Sequence, residues 1–235
     1  MVRVILHALI LVSLGIMLPC PISRAEEPAV PLKKGDKIVF LGDSITEGGG
    51  GTNGFITLLK KTLDDKNKDL GIETINAGTS GDKVPDLQRR VDKHVVARKP
   101  NIVFIYIGIN DVMHGRDDPT KGTSPDKFES GLREVIGKVT DSGAKVILCT
   151  PTVIGEKKEG ANKLDKQLDA FADISRKIAK DLKLPLCDLR KSFVDYLKSN
   201  NPDNKGRGIL TSDSVHLNAA GNKLVAETML KMLGQ

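Results

Sequence analysis

Four short segments, far apart in the sequence, contain the residue types that an acyl-transfer enzyme uses. They are GDSIT at residues 42–46, NAGTSGD at 76–82, GIND at 108–111 and DSVH at 213–216. Ser44 is a candidate nucleophile, since a serine hydroxyl attacks a carbonyl once a base removes its proton. His216 is the candidate base. Asp213, three residues before it, is a candidate for orienting the imidazole and stabilising its charged form.

Gly81, Asn110 and the backbone amide of Ser44 are candidate donors to an oxyanion. Negative charge develops on the carbonyl oxygen of the tetrahedral intermediate, and one fixed donor typically changes the rate by roughly 10²- to 10³-fold. Glycine suits such a loop because its backbone can approach a ligand closely. Taken singly, Ser44 also fits a helix cap, Gly81 an ordinary turn, and Asn110 a side chain bonded to local backbone.

In this order, the four segments resemble the blocks that identify the SGNH hydrolases, the GDSL esterase/lipase superfamily, by Ser, Gly, Asn and His. The resemblance extends from about residue 37 to the C-terminus. It implies a flavodoxin-like three-layer α/β/α sandwich and the hydrolysis of ester, sometimes thioester, bonds without a cofactor. It also implies a catalytic set of Ser44, Asp213 and His216, with an oxyanion hole formed by Ser44, Gly81 and Asn110.

His114 and Asp43 are two further candidate substrate contacts. Asp111 and His114 repeat the DxxH spacing directly after Asn110. We expect His114 to line the cleft or to be an ordinary loop residue, because the resemblance places the base in the C-terminal segment. Asp43 is expected to bond to local backbone amides, and a contact with substrate is the alternative.

Alternating strand and helix signals predict how these residues are positioned. Apolar runs predict five strands, and apolar residues at helical spacing lie between and after them. This alternation predicts a five-stranded parallel sheet between helical layers, in one domain over residues 26–235. In such sheets, sites form beyond the carboxyl ends of the strands. The strands are predicted at residues 37–41, 71–76, 102–109, 145–150 and 184–189.

The first 25 residues have the features of a secretory signal. A basic start is followed by an apolar run over residues 4–18 and by Ser23-Arg24-Ala25, which places small residues where signal peptidases cleave. We expect cleavage after Ala25 and a secreted or periplasmic protein without stable membrane association. An uncleaved anchor is the alternative, although the run is short for a span of roughly 20 residues. Pro19-Cys20 is a poor lipidation signal.

Composition excludes several classes of function. Tryptophan is absent and aromatic residues make up 3% of the chain, which excludes a glycan site built on stacked tryptophans. The net charge of +6 is spread over many lysines, so no nucleic-acid partner is expected. No Cys/His cluster has metal-ligand spacing. Cys149 and Cys187 are expected to be buried thiols, and a disulfide is the alternative.

Two segments near the predicted strand ends are candidate rims of the cleft. The glycine run at residues 48–51 lacks the residues of a phosphate-binding loop and is expected to be a flexible lip. Residues 156–160 (EKKEG), after the fourth predicted strand, are the other candidate rim.

The residues therefore predict a serine esterase that acts on a small-molecule or glycan ester. The resemblance favours a carbohydrate O-acetyl esterase, and a lysophospholipase or short-chain acyl esterase is the alternative. From a different class, a non-catalytic flavodoxin-like module that binds a ligand stays open. The oligomeric state is left open by the sequence.

Overall fold

A computed structural model describes residues 30–158 and 160–235, so the predicted signal segment lies outside the described residues. The strands are β1 (Lys37–Gly42), β2 (Glu73–Gly78), β3 (Ile102–Tyr106), β4 (Lys145–Cys149) and β5 (Leu186–Cys187). The α-helices are α1 (Ser44–Gly48), α2 (Phe55–Lys66), α3 (Val84–His94), α4 (Ile109–Met113), α5 (Pro125–Asp141), α6 (Asp165–Asp181), α7 (Leu189–Asn200) and α8 (Ala219–Met232).

All strand pairs are parallel, and the strand order is β2-β1-β3-β4-β5. The chain therefore moves one way from β1 to β2 and the other way from β2 through β5. Right-handed crossovers in opposite directions lie on opposite faces of a sheet. Accordingly, α5 packs against α3 and α6, while α8 packs against α2 and α7. This arrangement confirms the predicted three-layer α/β fold.

The core lies at the centre of the sheet. Every residue of β3 is at most 1% exposed, as expected for a parallel strand covered on both faces. Phe40 of β1 stacks on Phe104 of β3, with ring centroids 5.2 Å apart. Cys149 and Cys187 are register partners on β4 and β5, and both are buried free thiols. In the described part of the chain, no helix is long and apolar enough to cross a membrane.

β2 begins and ends two residues later than expected, and the larger differences from the sequence-based boundaries are at β3, β5 and α7. β3 ends at Tyr106 rather than at residue 109, because Gly108 adopts a φ of +125° and Ile109 begins α4. β5 has two residues rather than six, because Asp188 caps α7 by accepting a hydrogen bond from Lys191 N. Helix α7 was missed, although its buried residues include Leu189, Phe193 and Leu197 at helical spacing.

The predicted flexible lip is a set of hydrogen-bonded turns between α1 and α2. Gly51 N donates to Gly48 O, and Ile56 N donates to Gly49 O at 2.9 Å. A Cβ on Gly49 would lie 2.4 Å from the ring of Phe55. The glycines therefore allow close packing against α2, and this differs from the expected lip.

Gly42, the last residue of β1, is required by close approach. A Cβ there would lie 2.2 Å from Thr46 Oγ1 and 2.3 Å from the carbonyl oxygen of Tyr106 on β3. We predict that Gly42→Ala lowers the free energy of unfolding by about 1–3 kcal/mol or more. The reason is that the backbone of β3, the central strand, cannot move away from the added Cβ.

Gly137 in α5 provides the matched control, because a Cβ there meets no atom within 4 Å. Gly137→Ala should raise the free energy of unfolding by about 0.5–1 kcal/mol through helix propensity. Urea denaturation of both variants measures the difference. Equal effects of the two alanines would contradict the close-approach explanation.

Candidate active site

The nucleophile candidate lies at the junction between β1 and α1. Ser44 is the first residue of α1 and is half-buried. The helix cap is Asp43, whose Oδ1 accepts a hydrogen bond from Ile45 N at 3.0 Å. The Ser44 hydroxyl is therefore not used as the cap, and its Oγ lies 3.0 Å from His216 Nε2.

His216 and Asp213 lie in a turn just before α8, and both are about half exposed. Asp213 Oδ2 lies 2.7 Å from His216 Nδ1. Asp213 Oδ1 accepts hydrogen bonds from Val215 N at 3.0 Å and from His216 N at 2.8 Å. The structure thus brings the three side chains together in the order Ser44–His216–Asp213.

The ionisation of Asp213 is set by these contacts. Partial burial raises its pKa, but the hydrogen bonds from the imidazole and from the two backbone amides outweigh burial. Together they lower the pKa of Asp213 to about 2. Its carboxylate is therefore ionised over the whole neutral range and faces the imidazole as an anion.

The oxyanion-donor candidates come from the two strands that flank β1. Gly81 follows β2 with a φ of +81°, a backbone conformation that favours glycine. Asn110 lies in the first turn of α4, after β3, and is 3% exposed. Its Nδ2 donates to the carbonyl oxygen of Asp82 at 3.0 Å, which holds the amide beside the loop of Gly81. Among the described residues, no acceptor occupies the N–H of Gly81 or of Ser44.

The loop after β2, which contains Gly81, is hydrogen-bonded to α1. Asn76 Nδ2 donates to Glu47 O at 2.9 Å, and Asn76 Oδ1 accepts from Gly78 N at 2.9 Å. The hydroxyl of Ser80 donates to the Glu47 carboxylate. These bonds hold the loop that contains Gly81 against the helix that contains Ser44.

The two candidate substrate contacts differ in position. Asp43 is 1% exposed, and its Oδ1 accepts a hydrogen bond from Ile45 N, the kind of local backbone bond that the sequence predicts. A contact between Asp43 and substrate stays a prediction. His114 follows α4 and is half-buried. Within the described residues, no side-chain hydrogen bond links it to Ser44, Asp213 or His216. A contact between His114 and substrate stays a prediction.

Three carboxyl groups and one arginine lie close to the turn that contains Ser44. Asp43, Asp82 and Asp111 are each at most 8% exposed. Arg90 Nε donates to Asp82 Oδ2 at 2.5 Å, and Arg90 Nη2 donates to Gly42 O at 2.9 Å. Val84 N donates to Asp111 Oδ1 at 3.1 Å. The Oδ2 atoms of Asp43 and Asp111 have no partner among the described residues.

Burial raises the pKa of all three carboxyl groups, and for Asp82 it does so against the hydrogen bond and charge of Arg90. Burial is the main cause and raises the pKa of Asp43 to about 7, against the opposing bond from Ile45 N. The negative charges of Asp111 and Asp82 raise it further, while His216 lowers it. Burial likewise raises the pKa of Asp111 to about 6. No group of three or more His, Cys, Asp or Glu residues in residues 30–158 and 160–235 could hold a metal ion.

The raised pKa values predict a pH-dependent stability. An acid whose pKa is higher in the folded state binds more protons there, so the free energy of unfolding falls as pH rises. For Asp43 this fall should extend from about pH 4, where the unfolded group titrates, to about pH 7. Asp43→Asn should therefore gain stability relative to the unsubstituted protein across that window.

Thermal unfolding between pH 4 and pH 8 measures this difference. Asp65→Asn, at an exposed position in α2, is the control and should keep the original pH slope. A constant difference between Asp43→Asn and the unsubstituted protein at every pH would contradict the assignment.

Comparison with known proteins finds relatives that include acetylxylan esterases. An acetylxylan esterase from Geobacillus stearothermophilus is 30% identical over 85% of this chain and 94% of its own length. The crystal structure of an acetyl xylan esterase, AlAXEase, superposes with a TM-score of 0.80 at 44% identity, covering 83% of this chain and 98% of that one. An uncharacterised lipoprotein, YqeF, from Bacillus subtilis is 26% identical over 82% of this chain and 87% of its own length.

Solved structures of the Geobacillus enzyme, called Axe2, include three catalytic mutants. In these, a serine, an aspartate or a histidine is replaced by alanine. Two residues separate that aspartate from that histidine, as in the DSVH segment of this chain.

The family profile extends over most of the chain. Residues 40–224 match the GDSL-like lipase/acylhydrolase family, and this range includes all four segments. The match and the relatives decide against a non-catalytic ligand-binding module. The chain belongs to the GDSL-like lipase/acylhydrolase family and is an ester-hydrolysing serine hydrolase.

Proposed function

We propose that this protein is an exported esterase that removes acetyl groups from a xylan-type polysaccharide through an acyl-enzyme intermediate. The observation on which this rests is the chain of contacts at the site. Ser44 Oγ lies 3.0 Å from His216 Nε2, and His216 Nδ1 lies 2.7 Å from the Asp213 carboxylate. The names of the relatives support the acetylated glycan as the substrate class.

The proposed first step is attack by Ser44 on the acetyl carbonyl. As the new C–O bond forms, His216 Nε2 takes the hydroxyl proton, and the ionised Asp213 stabilises the resulting imidazolium. The carbonyl oxygen becomes an oxyanion, which accepts hydrogen bonds from the N–H groups of Ser44 and Gly81 and from Asn110 Nδ2. His216 then returns the proton to the sugar oxygen, and the alcohol leaves.

The second step hydrolyses the acyl-enzyme. Water takes the place of the sugar, His216 removes its proton, and the hydroxide attacks the Ser44 ester. Collapse of the second tetrahedral intermediate breaks the bond to Ser44 Oγ, which regains its proton from His216. The products are acetic acid and free enzyme, and no cofactor is consumed.

The exposure of the site supports a large substrate. The side chains of His216 and Asp213 are 48% and 52% exposed, so the reacting groups are open to solvent. An acetyl group on a long glycan can reach such a site without entering a tunnel. Because the chain contains no tryptophan, sugar rings must be bound by other side chains, and His114 is our candidate among them.

Export is a separate part of the proposal. The basic start, the apolar run and the small residues before Ala25 support a cleaved signal over residues 1–25. The similarity to a lipoprotein is consistent with an exported family member. A substrate as large as xylan also requires an enzyme outside the cytoplasm.

Substitution of the nucleophile and a comparison of substrates test the mechanism and the substrate class. Ser44→Ala should reduce acetate release by on the order of 10⁴- to 10⁶-fold, as removal of a catalytic serine does elsewhere. It should also abolish labelling by a fluorophosphonate. Acetylated xylooligosaccharides should be better substrates than octanoyl esters or lysophospholipids. Unreduced turnover in Ser44→Ala would exclude the mechanism, and a preference for lysophospholipid would favour the lipid alternative.

The two histidines give a test of the base. His216→Ala should abolish turnover, because a base must lie within about 2.6–3.2 Å of the proton that it removes. His114→Ala should retain kcat and change KM for glycan esters. Steady-state kinetics of both variants on nitrophenyl acetate and on acetylated xylooligosaccharides distinguishes them. Loss of activity in His114→Ala, with full activity in His216→Ala, would make our assignment of the base wrong.

A further inference from the structure

Glu156 lies in the loop after β4 and is completely buried. Its Oε1 accepts hydrogen bonds from Leu210 N at 2.7 Å, Thr211 N at 2.5 Å and Thr211 Oγ1 at 2.7 Å. Its Oε2 accepts a hydrogen bond from Ile209 N at 2.7 Å. One carboxylate thus binds three successive backbone amides and a hydroxyl of a segment more than fifty residues away.

Among the described residues, no lysine, arginine or histidine forms an ion pair with Glu156. A buried carboxylate without a cation is costly unless hydrogen-bond donors surround it. Successive backbone amides that point into one concavity form an anion-binding site, and charge-assisted bonds of this kind are stronger than neutral ones. The segment 209–211 is therefore fixed to Glu156 by four strong contacts.

The fixed segment is the base of the loop that contains Asp213 and His216. Thr211 pairs with Leu217 in an antiparallel bridge, and Ser212 N donates to His216 O at 2.8 Å. These contacts close a loop over residues 211–217. The loop after β4 also binds the 211–217 loop directly, since Gly155 N donates to Ser214 O at 2.8 Å.

Burial is distributed unequally along this loop. Thr211 and Leu210 are fully buried, whereas the side chains of His216 and Asp213 are about half exposed. Exposed side chains have few packing contacts to hold them in place. The distance between His216 and Ser44 therefore depends on how firmly the buried base of the loop is held.

We propose that Glu156 is a positioning residue that sets the distance between the His216 imidazole and the Ser44 hydroxyl by fixing the base of the 211–217 loop. The inference rests on the proposed function, in which His216 is the base for Ser44. Glu156 lies outside the four motif segments, so the inference adds a fifth segment to the site. Glu156 acts through the loop and touches neither the substrate nor the reacting atoms.

Glu156→Gln is the direct test. The amide keeps the size of the side chain but replaces one acceptor oxygen by an NH₂ group that faces backbone N–H donors. We expect kcat for nitrophenyl acetate to fall by up to about 100-fold, a loss that a misplacement of about 1 Å can cause. KM should change little, because the substrate contacts remain.

A spectroscopic measurement separates positioning from stability. We expect a proton on His216 Nδ1, hydrogen-bonded to the Asp213 carboxylate, to give a low-field NMR signal. This signal should shift or broaden in Glu156→Gln while the protein stays folded. Asp36→Asn is the matched control. Asp36 is also buried and accepts a backbone bond, from Lys33 N at 2.7 Å, but it precedes β1 at the opposite edge of the sheet. It should lower Tm and leave kcat and the NMR signal unchanged.

Thr211→Val gives a second variant if Glu156→Gln does not fold. It removes the hydroxyl donor and keeps the three amide donors, so we expect a smaller fall in kcat and a shift of the NMR signal in the same direction. Wild-type kcat and an unchanged NMR signal in every variant that folds would overturn the proposal. So would an equal loss of kcat in Asp36→Asn. Turnover that does not depend on Ser44 would instead refute the proposed function.

Discussion

The hydrogen bond between Ser44 and His216 is the constraint on which the rest of the site depends. It joins residues 172 positions apart, so neither local sequence nor a single element can form it. The parallel sheet makes it possible, because all strands deliver their carboxyl ends to one edge. Ser44 leaves β1 at this edge, and the loops of Gly81 and Asn110 leave the two strands paired with β1. The loop after β4 then holds the segment that contains His216.

Close packing at this edge has a cost in stability. The turn that exposes Ser44 buries Asp43, and it approaches β3 so closely that residue 42 has no room for a Cβ. Asp82 and Asp111 lie near the same turn, and Arg90 binds Asp82 and the carbonyl oxygen of Gly42. Burial of several acids with one arginine is unfavourable for folding. The bonds from Arg90 to Asp82 and to Gly42 O also connect α3 to the turn that contains Ser44, and functional sites commonly combine such local cost with precise geometry.

Much of this arrangement could be predicted from the sequence, because the information was local. The apolar runs gave the five strands, and the four motifs gave the residues that the structure brings together. The failures occurred where tertiary contacts override local pattern. The apolar run of β3 continues to residue 109, yet the strand ends at Tyr106, since Gly108 turns the chain into α4. Helix α7 had a readable signal in Leu189, Phe193 and Leu197.

Glu156 shows a different kind of failure. In the sequence it is one acid in the charged run EKKEG, which is typical of an exposed rim. Its burial and its partners at residues 209–211 are created by the fold alone. An acid in the loop that follows β4 at the functional edge was the only local signal, and many solvent-exposed acids share it. Contacts between distant loops therefore mark the limit of prediction from this sequence.

The acids at this edge also show how environment assigns chemical roles to one residue type. Asp213 is half exposed and accepts three hydrogen bonds, so its pKa falls to about 2 and its charge can stabilise an imidazolium. The charge of His216 also lowers the pKa of Asp43. However, Asp43 is buried with a single hydrogen-bond donor, and its pKa rises to about 7. At neutral pH a large share of Asp43 is uncharged and offers the imidazolium little stabilisation. The number of donors around each carboxyl group, rather than proximity to histidine alone, thus makes Asp213 the anionic partner of His216 in the proposed mechanism.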